Sequence, residues 1–305
     1  MKRIERVAVL GAGAVGAYFA QSFFEAAEFS VHVIARGARL ERLKRDGVVV
    51  NGALYQFPTL DPDKAETPVD LLVVALKHHH LEEALMGLDR LIGESTIILS
   101  VMNGLDSEEY IGRLYGMDKV LYGISLAIDS VRTGNQVTYS NPGVHYFGEA
   151  KNHEFSPKVL RVKDAFERAE IAHKIPEDMI RFMWWKLMIN VGVNQASAVM
   201  RAPYGVMQRS PQAQAVMEAL MREVVAVAEA MGIGLTSRDV DEWYPVMNTL
   251  SPSGKTSMLQ DMEAGRKTEV DVFGGKVIAL GKQYGIPTPV NRTVVQIIQV
   301  LEQSA

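Results

Sequence analysis

Cysteine is absent from this chain of 305 residues, which excludes disulfides, thiolate metal ligands and thiol nucleophiles. The sequence also lacks an apolar run of membrane-spanning length and an apolar signal region, so no membrane partner is expected. The 32 basic residues are fewer than the 36 acidic ones and are scattered, which argues against a nucleic-acid partner. No acidic or histidine cluster has the spacing of metal ligands, so we expect no metal. These absences predict a cytoplasmic enzyme.

Apolar segments alternate regularly in the first half of the chain. Runs typical of buried strands are separated by helix-like segments such as 81–91, which predicts βαβ units and a parallel sheet. The predicted strands are 7–10, 31–34, 69–75, 96–101 and 120–124. Two shorter runs, 136–140 and 144–148, alternate like antiparallel strands and are expected to close one edge of the sheet.

The pattern changes after Pro176. Apolar residues then recur at spacings of three and four, which predicts helices at 179–193, 213–230 and 270–284. A chain of this length has room for about two domains. We therefore expect a doubly wound, mostly parallel α/β domain over residues 1–176, followed by an all-α domain over residues 177–305.

A glycine-rich turn follows the first predicted strand. It comprises Gly11, Ala12, Gly13, Ala14, Val15 and Gly16. The first glycine allows a tight turn, the second lets the backbone approach a pyrophosphate, and the third lets the next helix pack on the strand. The N-terminus of that helix then holds the phosphates. Because the turn lies between a predicted strand and a predicted helix, it indicates a Rossmann domain that binds a dinucleotide.

The residue that closes the second predicted strand distinguishes NAD from NADP. An NAD site usually has an acidic residue there, whereas this chain has Arg36. A guanidinium binds the 2′-phosphate of NADP through charge-assisted hydrogen bonds, and a carboxylate would repel it. We therefore expect NADP(H). The alternative is that Arg36 and Arg39 are solvated charges at the start of a surface helix.

Two further polar residues follow predicted strands. Lys77 comes after the run LLVVAL and Asn103 after IILSVM. Ligands of such sheets bind beyond the carboxyl ends of the strands, so both residues are expected near the cofactor. Each also has a plain alternative, because Lys77 can be an exposed lysine at a helix start and Asn103 a turn residue before Gly104.

The predicted helix after Pro176 carries a polar face. Lys186, Asn190 and Asn194 recur every four residues, so they fall on one slowly drifting face of a helix. One amine and two amides are costly to bury without partners, and together they suit a substrate that carries a carboxylate and other oxygens. The alternative is an ordinary solvated face.

Ser257 and Glu269 complete the polar candidates. Ser257 can donate a hydrogen bond to a substrate carboxylate, and Glu269 can accept from a hydroxyl or pair with an amine. In the alternative interpretation Ser257 caps a helix and Glu269 is one surface acid among many.

Taken together, these motifs resemble the ketopantoate reductase (2-dehydropantoate 2-reductase) family. The matching motifs, in the order of the family, are GAGAVG, the VALK that ends at Lys77, the MNG that contains Asn103, the W-x-K-L-x-x-N-x-x-x-N run, TSMLQD and TEVD. The resemblance implies a Rossmann domain and an all-α domain of the 6-phosphogluconate dehydrogenase-like type, with the active site in the cleft between them. It also implies NADPH-dependent reduction of ketopantoate, a 2-oxo acid, in pantothenate and coenzyme A biosynthesis. Related helical domains often dimerise, so a homodimer is expected.

The resemblance also implies roles for the candidate residues. Lys186 would be the catalytic acid, and Glu269 its partner at the substrate and the cofactor. The remaining substrate anchors would be Asn190, Asn194 and Ser257, with Asn103 near both substrate and nicotinamide and Arg36 and Lys77 near the 2′-phosphate.

Two positions depart from the family pattern. Tyr204 stands where some relatives carry an asparagine, and Gly254 stands where an asparagine is often found, so a paralogue that reduces another 2-oxo acid stays open. A non-catalytic NADP(H) sensor is a further alternative, although it would not need both Lys186 and Glu269. A dehydrogenase of the same architecture with different chemistry would need a phosphate-binding arginine cluster or a catalytic histidine.

Overall fold

The computed structural model describes residues 2–303. Contacts within the chain divide it into two compact units, one that ends at Met179 and one that begins at Ile180. Within residues 2–303, no helix combines the length and the apolar character needed to cross a membrane.

The first unit is built on strands. Their bounds are β1 Arg6–Leu10, β2 Ser30–Ile34, β3 Val48–Val50, β4 Ala53–Tyr55, β5 Thr59–Leu60, β6 Leu71–Val74, β7 Ile97–Ser100, β8 Val120–Leu126, β9 Val131–Thr133, β10 Gln136–Thr138, β11 Val144–Gly148 and β12 His173–Lys174. Eight of them form one sheet in the order β12-β11-β8-β7-β6-β1-β2-β5. Within this sheet only the β11–β8 pair is antiparallel. The mostly parallel α/β prediction is confirmed.

Helices cover both faces of this sheet. Their bounds are α1 Ala14–Glu25, α2 Gly37–Asp46, α3 Leu81–Leu85, α4 Ser107–Tyr115 and α5 Pro157–Arg168. Along β1, Val7 and Val9 belong to one buried cluster, whereas Ala8 and Leu10 belong to another. Alternate side chains of a strand point to opposite faces, so the strand is buried on both sides, as in a doubly wound fold.

The order of the strands reverses beside β1. The chain passes from β1 to β2 on one side and later returns to β6 on the other side of β1. In open sheets of this kind, ligands bind beyond the carboxyl ends of the strands at such a reversal. The glycine turn follows β1, so the fold places it at that point.

Two predictions for the first unit are wrong in detail. The strand at 136–140 does not close the main sheet, because Gln136–Thr138 pairs with β9 and β3 in a second sheet of order β4-β3-β10-β9. The helix predicted at 81–91 ends at Leu85, because Met86 adopts an extended backbone, and Gly87 follows it with a positive φ of 72°. By contrast, Val144–Gly148 pairs antiparallel with β8, as expected, although β12 and not this strand lies at the edge of the sheet.

The second unit is helical, and between Ile180 and Gln303 no strand is formed. Its helices are α6 Met179–Ile189, α7 Gln195–Met200, α8 Tyr204–Arg209, α9 Pro211–Ala230, α10 Ser237–Asp241, α11 Trp243–Met247, α12 Ser257–Glu263, α13 Lys276–Tyr284 and α14 Pro289–Gln303. The all-α prediction for this part of the chain is confirmed.

Two π-helical segments interrupt the predicted helices. Asn190–Asn194 joins α6 to α7, and Asp271–Gly275 precedes α13. Each contains a glycine in a tight contact: a Cβ on Gly192 would lie 2.4 Å from Cγ of Met221, and one on Gly274 would lie 2.2 Å from Oε1 of Gln195. Both segments therefore approach a neighbouring element more closely than any side chain would allow.

Candidate active site

The glycine turn has the shape that a dinucleotide pyrophosphate requires. Gly11 has a φ of 107°, and a Cβ there would lie 2.4 Å from the carbonyl oxygen of Ala75. A Cβ on Gly16 would lie 1.7 Å from the carbonyl oxygen of Gly11, so only glycine lets α1 start so close to β1. Gly13, the N-cap of α1, is open, because a Cβ there would meet only one atom within 4 Å, at 3.9 Å. The turn thus leaves room at the helix N-terminus, where phosphates bind.

Arg36 lies at the end of β2 as the N-cap residue of α2. Its Nη2 group donates hydrogen bonds to the carbonyl oxygens of Met86, at 2.7 Å, and Gly87, at 3.3 Å, and lies 3.5 Å from Oδ1 of Asp63. The side chain is about one-third exposed. Within residues 2–303 these contacts engage only Nη2, so the guanidinium is anchored while its Nε and Nη1 donors make no hydrogen bond to the protein.

Lys77 and Asn103 occupy equivalent places on neighbouring strands. Lys77 is three residues beyond the end of β6, and Asn103 is three residues beyond the end of β7. β6 and β7 are parallel and adjacent, so both residues follow the same edge of the sheet as the glycine turn. Both are half-buried. Gly104 adopts a φ of 96°, which accords with an Asn-Gly turn.

In the second unit, Lys186 and Glu269 are electrostatically coupled. Lys186 is half-buried on α6, and Glu269, just before the second π segment, is 9% exposed. Burial lowers the pKa of Lys186 to about 8, and the negative charge of Glu269 acts in the opposite direction by favouring the ammonium. A partly desolvated lysine beside a carboxylate is an arrangement that functional sites use to tune a proton donor.

Asn190, Asn194 and Ser257 form a chain of hydrogen bonds. Nδ2 of Asn194 donates to Oδ1 of Asn190 at 3.1 Å, and Oγ of Ser257 donates to Oδ1 of Asn194 at 3.2 Å. Asn194 is 8% exposed, which contradicts the alternative of an ordinary solvated face at this position. The cap of α12 is Thr256, whose Oγ1 accepts from the N–H of Leu259 at 3.2 Å, so the alternative that Ser257 caps the helix is wrong.

The two positions that depart from the family pattern touch each other. The N–H of Tyr204 donates to the carbonyl oxygen of Gly254 at 2.9 Å. A Cβ on Gly254 would lie 3.1 Å from Cδ2 of the Tyr204 ring, so the ring packs against the glycine backbone. Gly254 is two residues before Thr256, which contacts Oγ of Ser197 at 3.2 Å. The tyrosine is therefore joined to the loop that leads into α12.

The sequence gives no sign of two further groups in the first unit. Arg132, on β9, donates from Nη1 to the carbonyl oxygen of Ala12 inside the glycine turn. Glu108 is fully buried in α4, and its Oε2 accepts from Oγ of Ser107 at 2.8 Å; burial raises the pKa of Glu108 to about 7. The contact of Arg132 spans 120 residues of sequence, so no local pattern indicates it.

The histidine run does not build a metal site. His78–His80 forms a short 3₁₀ turn, and the rings of His79 and His80 lie 4.2 Å apart. In the part of the chain that the structure describes, no group of three or more histidine or acidic side chains is arranged to hold a metal ion.

Comparison with known proteins gives full-length matches. Residues 7–152 match the family model described as ketopantoate reductase PanE/ApbA, and residues 178–302 match the model of its C-terminal part. A curated 2-dehydropantoate 2-reductase from Archaeoglobus fulgidus is 29% identical over 309 aligned residues, which cover 98% of this chain and 99% of the relative.

Solved structures share the fold at lower identity. A D-mandelate dehydrogenase, solved with NADH and anilino(oxo)acetate, superposes with a TM-score of 0.89 at 21% identity and covers 98% of both chains. A dimeric ketopantoate reductase from Staphylococcus aureus superposes with a TM-score of 0.83 at 19% identity, over 98% of this chain and 99% of that one. At these identities the likeness concerns the fold alone.

Proposed function

The chain belongs to the ketopantoate reductase family of oxidoreductases, and on that premise we propose that it reduces ketopantoate to pantoate with NADPH. This reaction is a step of pantothenate and coenzyme A biosynthesis. The observation that carries the proposal is the polar group in the second unit. There the partly desolvated Lys186 interacts electrostatically with Glu269. The helix that carries Lys186 continues into the segment in which the side-chain amides of Asn190 and Asn194 are hydrogen-bonded to each other.

Lys186 is the proposed proton donor. As a hydride reaches the keto carbon of a 2-oxo acid, negative charge develops on the keto oxygen. An ammonium aimed at that oxygen stabilises the charge and donates the proton, and both effects are large where water is excluded. With a pKa of about 8, Lys186 is mostly protonated at neutral pH and still gives up its proton more readily than an ordinary lysine.

The neighbouring residues have binding roles in this proposal. Glu269 holds the Lys186 ammonium by charge and accepts a hydrogen bond from a hydroxyl of the substrate or the cofactor. The amides of Asn190 and Asn194 offer N–H donors to the substrate carboxylate, and the hydroxyl of Ser257, which donates to Oδ1 of Asn194, holds the Asn194 amide in place. The hydrogen bonds between them fix their side chains in advance, which lowers the entropy lost on binding.

The first unit would hold the cofactor. A bound reduced nicotinamide dinucleotide supplies the hydride. The glycine turn, Gly11 to Gly16, binds its pyrophosphate, and Arg36 and Lys77 bind the 2′-phosphate that distinguishes NADPH from NADH. Asn103 orients the nicotinamide end and also contacts the substrate.

A reductase of another 2-oxo acid is the second candidate. The contact between Tyr204 and Gly254 favours it, because an aromatic ring packs on a glycine three residues before Ser257, at positions where the resemblance leads us to expect asparagines. A ring offers an apolar wall where an amide would donate hydrogen bonds. The D-mandelate dehydrogenase named above has the same fold, and its ligand anilino(oxo)acetate carries an aromatic group.

The location and assembly of the protein are also proposals. We propose that it works in the cytoplasm as a homodimer, and the dimeric relative from Staphylococcus aureus supports the latter. A non-catalytic NADP(H) sensor is less well supported, because Lys186 and Glu269 are both present and coupled.

Product analysis tests the proposed reaction. The purified protein should convert NADPH and ketopantoate into equal amounts of NADP⁺ and pantoate, identified by mass spectrometry. If NADPH binds but no 2-oxo acid is reduced, the enzyme proposal fails and the sensor is favoured.

A further inference from the structure

Arg132 holds a fixed place beside the glycine turn. Its Nη1 group donates to the carbonyl oxygen of Ala12, and its Nε group donates to the carbonyl oxygen of Gly134 at 2.9 Å. The side chain is half-buried. Two backbone carbonyls therefore orient the guanidinium at the edge of the turn, and Nη2 is the group they leave available.

Two arginines of α2 lie within electrostatic reach of Arg132. Arg39 and Arg42 are three residues apart, so they share one face of the helix. The pKa of Arg132 is lowered by burial and then by the positive charges of Arg39 and Arg42. Although Arg39 is exposed as a residue, partial desolvation of its guanidinium and then the charge of Arg42 lower its pKa. Independently, Nδ2 of Asn135 donates to the carbonyl oxygen of Asp46 at 3.3 Å, which ties the β9–β10 turn to the end of α2.

No carboxylate forms an ion pair with this group of three, which we call the arginine cluster, although the charge of Asp46 acts on Arg42 at longer range. The acidic residues of α2 have other partners: Glu41 pairs with Lys44 and Asp46 with Arg45. Across residues 2–303, none of Arg39, Arg42 and Arg132 forms an ion pair. Three mutually repelling cations thus lie within electrostatic reach of one another, and Asp46, the carboxylate that acts on Arg42, is itself bonded to Arg45.

The position of Arg39 adds to the unfavourable electrostatics. It lies in the first turn of α2, which contains no acidic residue. The N-terminus of a helix carries a partial positive charge, so a cation there is destabilising. An anion bound to the cluster would relieve this repulsion together with that between the arginines. Guanidinium groups bind phosphates with several charge-assisted hydrogen bonds, which makes a phosphate the fitting anion.

The location of the cluster indicates the source of that phosphate. Arg132 contacts the glycine turn, and α2 follows β2. In dinucleotide-binding folds of this kind, the pyrophosphate binds at that turn and the ribose lies near the end of the second strand. We propose that Arg39, Arg42 and Arg132 form a phosphate-binding site for the nicotinamide dinucleotide, in addition to the roles proposed for Arg36 and Lys77. The inference rests on the proposed function in one respect only, that a dinucleotide binds at the glycine turn.

Binding measurements on α2 variants test the site. The dissociation constants of NADPH, NADH and adenosine 2′-monophosphate would be measured by calorimetry for the wild type and for Arg39→Gln/Arg42→Gln. Both side chains are exposed, so their loss should leave the fold intact, which circular dichroism and thermal melting would check. Arg45→Gln is the matched control, because Arg45 lies on the same helix and is already paired with Asp46 at 2.6 Å.

The double variant should bind NADPH about tenfold or more weakly, the loss expected for charge-assisted hydrogen bonds, and with a weaker dependence on salt. If NADPH and adenosine 2′-monophosphate weaken while NADH does not, the cluster binds the 2′-phosphate. If NADPH and NADH weaken equally, it binds the pyrophosphate. If all three ligands bind within about twofold of the wild type, as the Arg45→Gln control should, the inference is overturned.

Failure of the inference is distinct from failure of the proposed reaction. If the wild type reduces ketopantoate and the double variant binds NADPH normally, the inference about the arginine cluster fails and the proposed reaction is supported. If the wild type binds NADPH without reducing ketopantoate, and the double variant binds NADPH weakly, the arginine cluster is supported and the proposed reaction fails. Arg132→Gln is not needed for either result, because it also removes the bond to Ala12.

Discussion

Asn194 donates a hydrogen bond from Nδ2 to Oδ1 of Asn190, at 3.1 Å, across the π-helical turn that joins α6 to α7. In an uninterrupted α-helix, residues four apart are offset by about 40° around the axis, so a polar face drifts along the helix. A π turn rotates less per residue, because its hydrogen bonds span five residues instead of four. It therefore counters the drift and keeps Asn194 on the same face as Asn190 and Lys186.

The bonded amides predict a substrate-specific defect in Asn194→Ala. The change removes one amide and leaves the hydroxyl of Ser257 and the carbonyl oxygen of the Asn190 side chain without a partner. We expect the KM for ketopantoate to rise about tenfold while the KM for NADPH stays near the wild-type value. Steady-state kinetics with each substrate varied in turn would measure both.

Gln208→Ala is the control for that experiment, because the Gln208 amide binds the carbonyl oxygens of Met247 and Leu250 elsewhere in the same unit. Equal effects of the two substitutions on the KM for ketopantoate would show that Asn194 has only a structural role.

The polar helix face was accessible to sequence reasoning, whereas the π turn was not. Spacing of four residues identifies Lys186, Asn190 and Asn194 as one face because periodicity is a local property. In the π turn Gly192 packs against Met221, a contact between distant parts of the chain that spacing does not indicate. Sequence spacing alone therefore predicted one polar face over these three residues, and a helix of the wrong internal geometry.

Lys186→Ala should mainly lower kcat. The substitution removes the proposed proton donor and the positive charge that stabilises the developing oxyanion, so we expect a loss of about a hundredfold or more. Stopped-flow measurement of NADPH oxidation at saturating substrates would show it. Lys255→Ala should keep wild-type turnover, because the exposed Lys255 pairs with Glu263 at 2.8 Å on the surface. An unchanged kcat in Lys186→Ala would remove this residue from the mechanism.

The pKa of Lys186 predicts how the rate depends on pH. Burial disfavours the charged form and lowers the pKa to about 8, so the ammonium is lost as pH rises through that value. Because the ammonium must donate the proton, kcat should fall above about pH 8 and be level below it. Any residual activity of Lys186→Arg should lack this step, since a guanidinium stays protonated. If kcat falls in the same way above about pH 8 in the wild type and in Lys186→Arg, the titrating group is not Lys186.

Arg36→Asp should act on the cofactor and leave the chemistry intact. A carboxylate at this position repels a 2′-phosphate, so the KM for NADPH should rise and the preference over NADH should narrow, with little change in kcat at saturation. The substitution also removes the bonds to the carbonyl oxygens of Met86 and Gly87, so thermal stability would be checked alongside. Parallel losses with both cofactors would speak against the assignment to the 2′-phosphate.

In the first unit, too, features set by neighbouring residues were predictable from the sequence, whereas contacts between distant residues were not. The glycine turn was predictable because its three glycines are adjacent, and the contacts of Gly11 and Gly16 give the physical reasons for two of them. The placement of Gln136–Thr138 in a second sheet was not, because alternation does not say which distant strand a segment pairs with. Arg132 was missed for a similar reason, since its partner Ala12 is 120 residues away.

The most direct measurement is kcat/KM with NADPH for ketopantoate beside a panel of straight-chain, branched and aromatic 2-oxo acids. Selectivity is a ratio of these values, so the panel separates the two candidate substrates in one experiment. The proposed function predicts that ketopantoate exceeds each of the others by about tenfold or more. An aromatic 2-oxo acid that exceeds ketopantoate would contradict it, and the contact between Tyr204 and Gly254 would then be the place to explain the change in specificity.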